Sequence, residues 1–184
     1  MIELTHEPID CQKLLDRIAD PSCGGQVMFV GTTRQWTRLP DGRECETDHL
    51  IYEAYQEMAV KQLEELAAEA KSRWPVKKLA ITHRLGRVDP QEASVGVAVA
   101  TPHRSEAFEA AKWLIDTLKH DVPIWKQEHY VQNGSEWIHP TSGSCRCDHS
   151  KPELDAARPP AANVSNPKTG TESTQPALQP EQID

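Results

Sequence analysis

Five cationic side chains stand where they could do chemistry: Arg34, His103, Arg104, Lys119 and Lys126. Thr101-Pro102 predicts a helix start, with Thr as N-cap and Pro at the first helical position. His103 and Arg104 then fall in the first turn. Free backbone N–H groups and the helix dipole favour an anion there and disfavour basic side chains. A bound anion gripped by charge-assisted hydrogen bonds would explain the pair, and a solvated helix start is the plain alternative. Arg34 follows a buried strand at the mouth of a loop, a common place for a binding residue and equally for an exposed arginine. Lys119 closes the helix, where a lysine is also an ordinary C-terminal cap. Lys126 lies on the next strand, just after Ile124 and Trp125. Its stem fits an apolar wall, and a partly buried amine near other cations becomes a usable base or nucleophile.

Other chemistries are missing or weak. The sequence has no Gly-x-x-x-x-Gly-Lys loop, no Gly-x-Gly-x-x-Gly, no His-Glu-x-x-His and no Gly-x-Ser-x-Gly. Carboxylates such as Glu64, Glu65 and Glu69 read as a solvated helix face. Cys145-Arg146-Cys147-Asp148-His149 offers two thiolates and an imidazole, one ligand short of a closed zinc site and with unusually tight spacing. No metal site is expected.

The elements that must position these groups are legible as apolar rhythm broken by Gly and Pro. A short strand starts at Ile2, and residues 9–19 read as a helix with Leu14, Leu15 and Ile18 on one side. Gly24-Gly25 signals a turn, and Gln26–Val30 a buried strand ended by Gly31. Residues 32–47 are polar, contain Pro40-Asp41-Gly42, and read as an exposed, mobile loop. His49–Tyr55 is a strand, and a helix runs from about Glu57 to Trp74 before Pro75. Leu79–His83 and Ser94–Thr101 are strands. In the second, Val95, Val97 and Val99 alternate with Gly96, Ala98 and Ala100, so something packs closely on the small-residue face. The next helix reaches about His120, with Ala107, Phe108, Ala111, Ile115 and Leu118 buried. Ile124–Val131 is a strand, and Asn133-Gly134 turns it back to Trp137-Ile138. Helices and strands alternate loosely and hairpins are present, which predicts an α+β domain with a mixed, largely antiparallel sheet.

Composition divides the 184 residues in two. All ten aromatics lie at or before Trp137, and seven of 14 prolines at or after Pro140. Residues 1–139 therefore read as one domain, and residues 140–184 as a disordered tail too poor in apolar groups to bury a core. A net charge of −8 argues against nucleic acid as a partner without excluding a local anion pocket. No run of about 18 apolar residues suggests a membrane span. The N-terminus has no basic-then-apolar signal pattern, and five scattered or tail-borne cysteines suggest no disulfide framework. A reducing cytoplasm is the expected setting.

Taken in order, several segments resemble the large, catalytic subunit of molybdopterin synthase. They are Phe29-Val30-Gly31-Thr32-Thr33-Arg34, Tyr52-Glu53-Ala54-Tyr55, Trp74-Pro75-Val76, His83-Arg84-Leu85-Gly86, His103-Arg104 with Ala107-Phe108-Glu109-Ala110, Asp116-Thr117-Leu118-Lys119 and Val122-Pro123-Ile124-Trp125-Lys126-Gln127-Glu128. The resemblance spans residues 2–138 and leaves the tail aside. It implies an α/β-hammerhead fold with a dimerising sheet. It also implies a sulfurtransferase of molybdenum cofactor biosynthesis that converts cyclic pyranopterin monophosphate (precursor Z) into molybdopterin. The two dithiolene sulfurs would come from a thiocarboxylate on the C-terminal Gly-Gly of a small ubiquitin-like subunit. A central homodimer would carry one small subunit at each end, making a heterotetramer, and no cofactor is implied for the transfer itself. Thr32, Thr33, Arg34, His103 and Arg104 would hold the pterin phosphate. Lys119 and Lys126 would be catalytic and touch substrate, with Gln127 and Glu128 lining it nearby. The alternative from another class is a non-catalytic module on the same scaffold that binds an anion or a ubiquitin-like protein.

Overall fold

The computed structural model describes residues 1–39, 42–132 and 134–138. The tail from residue 140, with Cys145, Cys147 and His149, lies outside the described residues, as do Pro40, Asp41 and Asn133. In chain order the elements are β1 (Ile2–Thr5), α1 (Cys11–Ile18), β2 (Gly25–Thr32), β3 (Trp36–Arg38), β4 (Glu44–Ala54), α2 (Gln56–Arg73), β5 (Lys78–Arg84), β6 (Gly86–Val88), β7 (Ala93–Thr101), α3 (Arg104–Asp121), β8 (Ile124–Tyr130) and β9 (Gly134–Ile138). Two sheets form, in the orders β1-β5-β7-β2 and β3-β4-β8-β9, with β6 added to β4. The pair β1–β5 is parallel and the other pairs are antiparallel, so the fold is the expected mixed α+β arrangement.

The first sheet is covered on both faces, which explains the alternation along β7. Val95, Val97 and Val99 join Leu79 and Ile81 under α2 and α3. Ala98 and Ala100 join Ala80 under Leu14 and Ile18 of α1. The approach of α1 is close: a Cβ on Gly96 would lie 2.5 Å from Leu14 Cδ1. The small residues let a helix lie directly on the strands.

Several expectations need correction. The polar stretch 32–47 is largely a β-hairpin, because β3 pairs with the start of β4. Thr37 and Thr47 hydroxyls meet across it at 3.1 Å, and Leu39 N donates to Arg43 O at 2.8 Å. Hydroxyls and long polar side chains can satisfy a half-exposed ladder, so strand character there carries no apolar signal. Helix α3 begins two residues later than predicted. Thr101 is the buried end of β7, its hydroxyl donates to His103 O at 2.6 Å, and His103 is the N-cap residue without a side-chain cap bond. Phe108 is 63 % exposed, since the buried stripe of α3 runs through Ala107, Ala110, Ala111, Leu114, Ile115 and Leu118 and passes beside it. The short strand β6, entered through Gly86 at φ +74, has too few residues to announce itself in sequence.

Candidate functional site

Helix α3 follows β7 and runs back along the first sheet, so its two ends lie over opposite ends of β2 and β7. At its N-terminus a Cβ on Gly25 would come within 2.9 Å of Arg104 Cα and N, and Gly24 N donates to Pro102 O at 3.1 Å. Gly24-Gly25 is thus less a turn than a gap that lets the His103–Arg104 corner sit against the sheet. His103 and Arg104 are exposed there. From His103 to Lys119 the helix rises roughly 24 Å at about 1.5 Å per residue.

The other end gathers more chemistry. Strand β2 finishes with Thr32, and Thr33 and Arg34 follow. Thr32 and Arg34 are exposed, while Thr33 is buried with its Oγ1 lacking a hydrogen-bond partner. The Thr33 backbone is held on both sides, its N–H donating to Glu92 O at 3.0 Å and its carbonyl accepting from Gln91 N at 2.8 Å. In the sheet register His83 lies beside Val95 and Val95 beside Gly31, which carries the end of β5 to the same place.

His83 is a residue whose importance the cation pattern did not reveal. It is buried, and its Nδ1 lies 2.9 Å from Arg84 O. A carbonyl only accepts, so Nδ1 carries the proton and Nε2 keeps its lone pair. Burial pushes its pKa down to about 4, the Arg84 carbonyl works against that, and the nearby Lys119 charge lowers it further. The imidazole is therefore neutral beside the lysine. Tyr52 stands edge-on to it, with ring centroids 5.1 Å apart at 71°. The Tyr52 hydroxyl hydrogen-bonds to Ser94, whose Oγ donates to Gly31 O at 3.2 Å. Burial raises the Tyr52 pKa, so the phenol stays protonated.

Tyr52 is also the cross-strand neighbour of Lys126, which brings the second sheet to the site. The Lys126 Nζ lies 2.6 Å from Glu128 Oε1, and Tyr130 donates from its hydroxyl to Glu128 Oε2 at 2.8 Å. The Glu128 side chain is only 4 % exposed, so its carboxylate braces Lys126 from beneath. Gln127 is not brought to that side. Successive strand residues face opposite ways, and Gln127 instead bonds His129 Nε2 at 3.0 Å and Ser135 Oγ at 3.4 Å. His49 stacks on His129 on that same face, with centroids 4.2 Å apart.

Thr32, Thr33, Arg34, Lys119, Lys126 and Glu128 therefore belong to one end of the domain, and His103 and Arg104 to the other end of α3. The sequence reading had given no role to His83, Tyr52, Ser94 or Tyr130. Tyr52 and His83 sit in segments that carried the resemblance, but only the strand register joins them to the lysines. Among the described residues no group of His, Cys, Asp and Glu is placed to hold a metal ion, and no helix is long and apolar enough to cross a membrane.

Comparison with known proteins is consistent across sequence and structure. A family model described as MoaE protein matches residues 4–121. The molybdopterin synthase catalytic subunit of Bacillus subtilis is 38 % identical over 152 residues, covering 83 % of this chain and 93 % of that protein. The subunit of the same name from Culex quinquefasciatus is 42 % identical over 139 residues, covering 74 % and 85 %. Among solved structures, molybdopterin synthase from Staphylococcus aureus superposes with a TM-score of 0.68 at 34 % identity, over 74 % of this chain and 95 % of that one. A chain from the complex of subunits 1 and 2 of molybdopterin-converting factor from Helicobacter pylori shares the fold at a TM-score of 0.60 and 21 % identity, over 77 % and 90 %. The chain belongs to the MoaE family, whose relatives are molybdopterin synthase catalytic subunits, enzymes of molybdopterin biosynthesis.

Proposed function

We propose that this chain catalyses sulfur transfer from the thiocarboxylated C-terminus of a small ubiquitin-like subunit to cyclic pyranopterin monophosphate, forming the dithiolene of molybdopterin. The observation that supports the reading is the buried His83–Tyr52 contact, with Lys119 near enough to His83 to lower its pKa and Lys126 paired across the strands with Tyr52. Ammonium groups on both sides of that pair can stabilise an oxyanion on the acyl carbon or on the pterin intermediate. Either amine can move a proton during the transfer. Arg34 supplies a guanidinium suited to phosphate. The Helicobacter pylori neighbour, solved as a complex of two subunits, supports a small second chain.

A homodimer belongs to the same proposal. Trp125 and Trp137 are exposed on the face of β8 and β9 opposite Lys126, and β9 is one edge strand of its sheet among the described residues. Such an apolar, open edge is suited to a second copy. A dimer also lets the His103–Arg104 corner of one chain reach the Lys119 end of its partner. Work in the cytoplasm agrees with a thiocarboxylate donor, which needs a reducing setting.

A single-turnover assay tests the reading. The chain, cyclic pyranopterin monophosphate and at least two equivalents of a thiocarboxylated small subunit should yield molybdopterin together with two equivalents of the small subunit's carboxylate form, one for each sulfur transferred. A non-catalytic module on this scaffold would bind the subunit and leave both reactants unchanged.

A further inference from the structure

Lys126, Glu128 and Tyr130 point to the same side of β8, and their polar ends form a chain. Both Glu128 oxygens are used: Oε1 faces the Lys126 ammonium at 2.6 Å, and Oε2 accepts from the Tyr130 hydroxyl at 2.8 Å. A carboxylate this deeply buried is costly unless each oxygen is satisfied, and one bond alone leaves it free to rotate about its own axis. The second bond fixes its plane. Tyr130 also lines an open cavity of about 100 Å³ with Trp36, Glu44, Cys45, Glu46 and Gln132. Next to it, Val131 N donates to Glu46 O at 3.0 Å. The phenol is thus seated where the β3–β4 hairpin meets β8.

We propose that Tyr130 is a positioning residue for Lys126, acting through Glu128. It rests on the reading of Lys126 as part of the sulfur-transfer site. The phenol holds the carboxylate in the one orientation that aims Oε1 at Nζ, and so fixes where the ammonium sits beside Tyr52. Burial, the Glu128 hydrogen bond, and the charges of Glu128, Glu136 and Cys45 all raise the Tyr130 pKa, which keeps the hydroxyl a donor. Tyr52 of β4 also lies against Lys126, and its edge-on partner His83 and the Lys119 charge that acts on His83 lie beyond it.

The test reads the lysine itself and needs no turnover. Full-length chain is labelled competitively with an amine-reactive anhydride at a series of pH values, and the Lys126 peptide is quantified by mass. Tyr130→Phe keeps the ring and removes only the hydroxyl, and a thermal melt checks that it is folded. Lys126 in this variant should label at least about threefold faster at fixed pH, a modest part of what a charge-assisted hydrogen bond can control. Glu128→Gln should speed labelling too, and adding Tyr130→Phe to it should change nothing further, because the path runs through the carboxylate. Labelling of Tyr130→Phe at the native rate, or the same added factor in the Glu128→Gln background, overturns the proposal. A parallel single-turnover assay separates it from the functional reading. Unmoved labelling in a chain that transfers sulfur overturns the positioning role alone, whereas the expected labelling in a chain that transfers none supports that role and refutes the function.

Discussion

His83 shows how a residue without an obvious motif sets the conditions for those around it. Its imidazole is held neutral down to about pH 4, whereas in an unfolded chain it would titrate near the ordinary 6.5. Between those values the unfolded chain binds a proton that the folded chain does not, so stability rises with pH across that window and this contribution is level above it. His83→Gln removes the contribution. The loss of unfolding free energy between pH 7.5 and pH 4.5, measured by urea titration, should shrink by on the order of 2–3 kcal/mol relative to the native chain; an unchanged difference would mean His83 is not buried neutral. Lys119 is the opposite case, exposed at a helix end where it adds only about 0.3–1 kcal/mol of stability. Lys119→Ala should leave the melting temperature nearly unmoved and slow single-turnover sulfur transfer at least about tenfold, roughly 1.4 kcal/mol of barrier. An unaltered rate with intact partner binding removes Lys119 from the chemistry. Arg34, Lys119 and Lys126 could be proposed from the sequence because the resemblance names them, whereas a cation at a helix end or strand exit has an ordinary structural explanation as well. Tyr52, His83 and Tyr130 were not, since each matters only through a neighbour that strand pairing brings from far along the chain.

At the scale of elements, α3 carries proposed site residues at both ends, and its seat depends on Gly25. A side chain there would press on the Arg104 and His103 backbone at 2.9 Å, where there is no flexible end to move aside. Gly25→Ala should cost about 1–3 kcal/mol by overpacking and displace the His103–Arg104 corner. The check is a paired measurement of unfolding free energy and of affinity for the pterin phosphate, and both should fall; a stable variant with native affinity would show that the corner tolerates movement. The long helices and the strands β2, β5, β7 and β8 were legible because their apolar periodicity matches the faces they bury. The β3–β4 hairpin was hidden by its polar, half-exposed composition, and the start of α3 by a Thr-Pro pair that fits a helix cap but ends a strand. Phe108 misled because helical spacing gives the side of a helix without giving the width of its buried stripe.

For the whole molecule, the compositional change near residue 139 leads us to propose that the chain folds without the segment that follows it. Truncation after Pro140 should leave the circular dichroism, the melting temperature and sulfur transfer as they are in the full chain, because residues 140–184 contain too little apolar surface to offset the cost of ordering them. Loss of the folded state on truncation would show that the tail packs on the domain. The larger question of scale is the roughly 24 Å of helix between His103 and Lys119, against a pterin phosphate about 10 Å long. One bound molecule does not reach both ends of one α3. If both ends serve one substrate, a two-fold dimer must supply them from two chains and form two equivalent sites. The direct measurement mixes two inactive variants, His103→Ala/Arg104→Ala and Lys119→Ala/Lys126→Ala, allows subunit exchange, confirms mixed dimers by mass, and assays sulfur transfer. Mixed dimers retain one intact site each, so activity should return to a sizeable fraction of the native level; confirmed exchange without any return of activity would contradict a site shared between two chains.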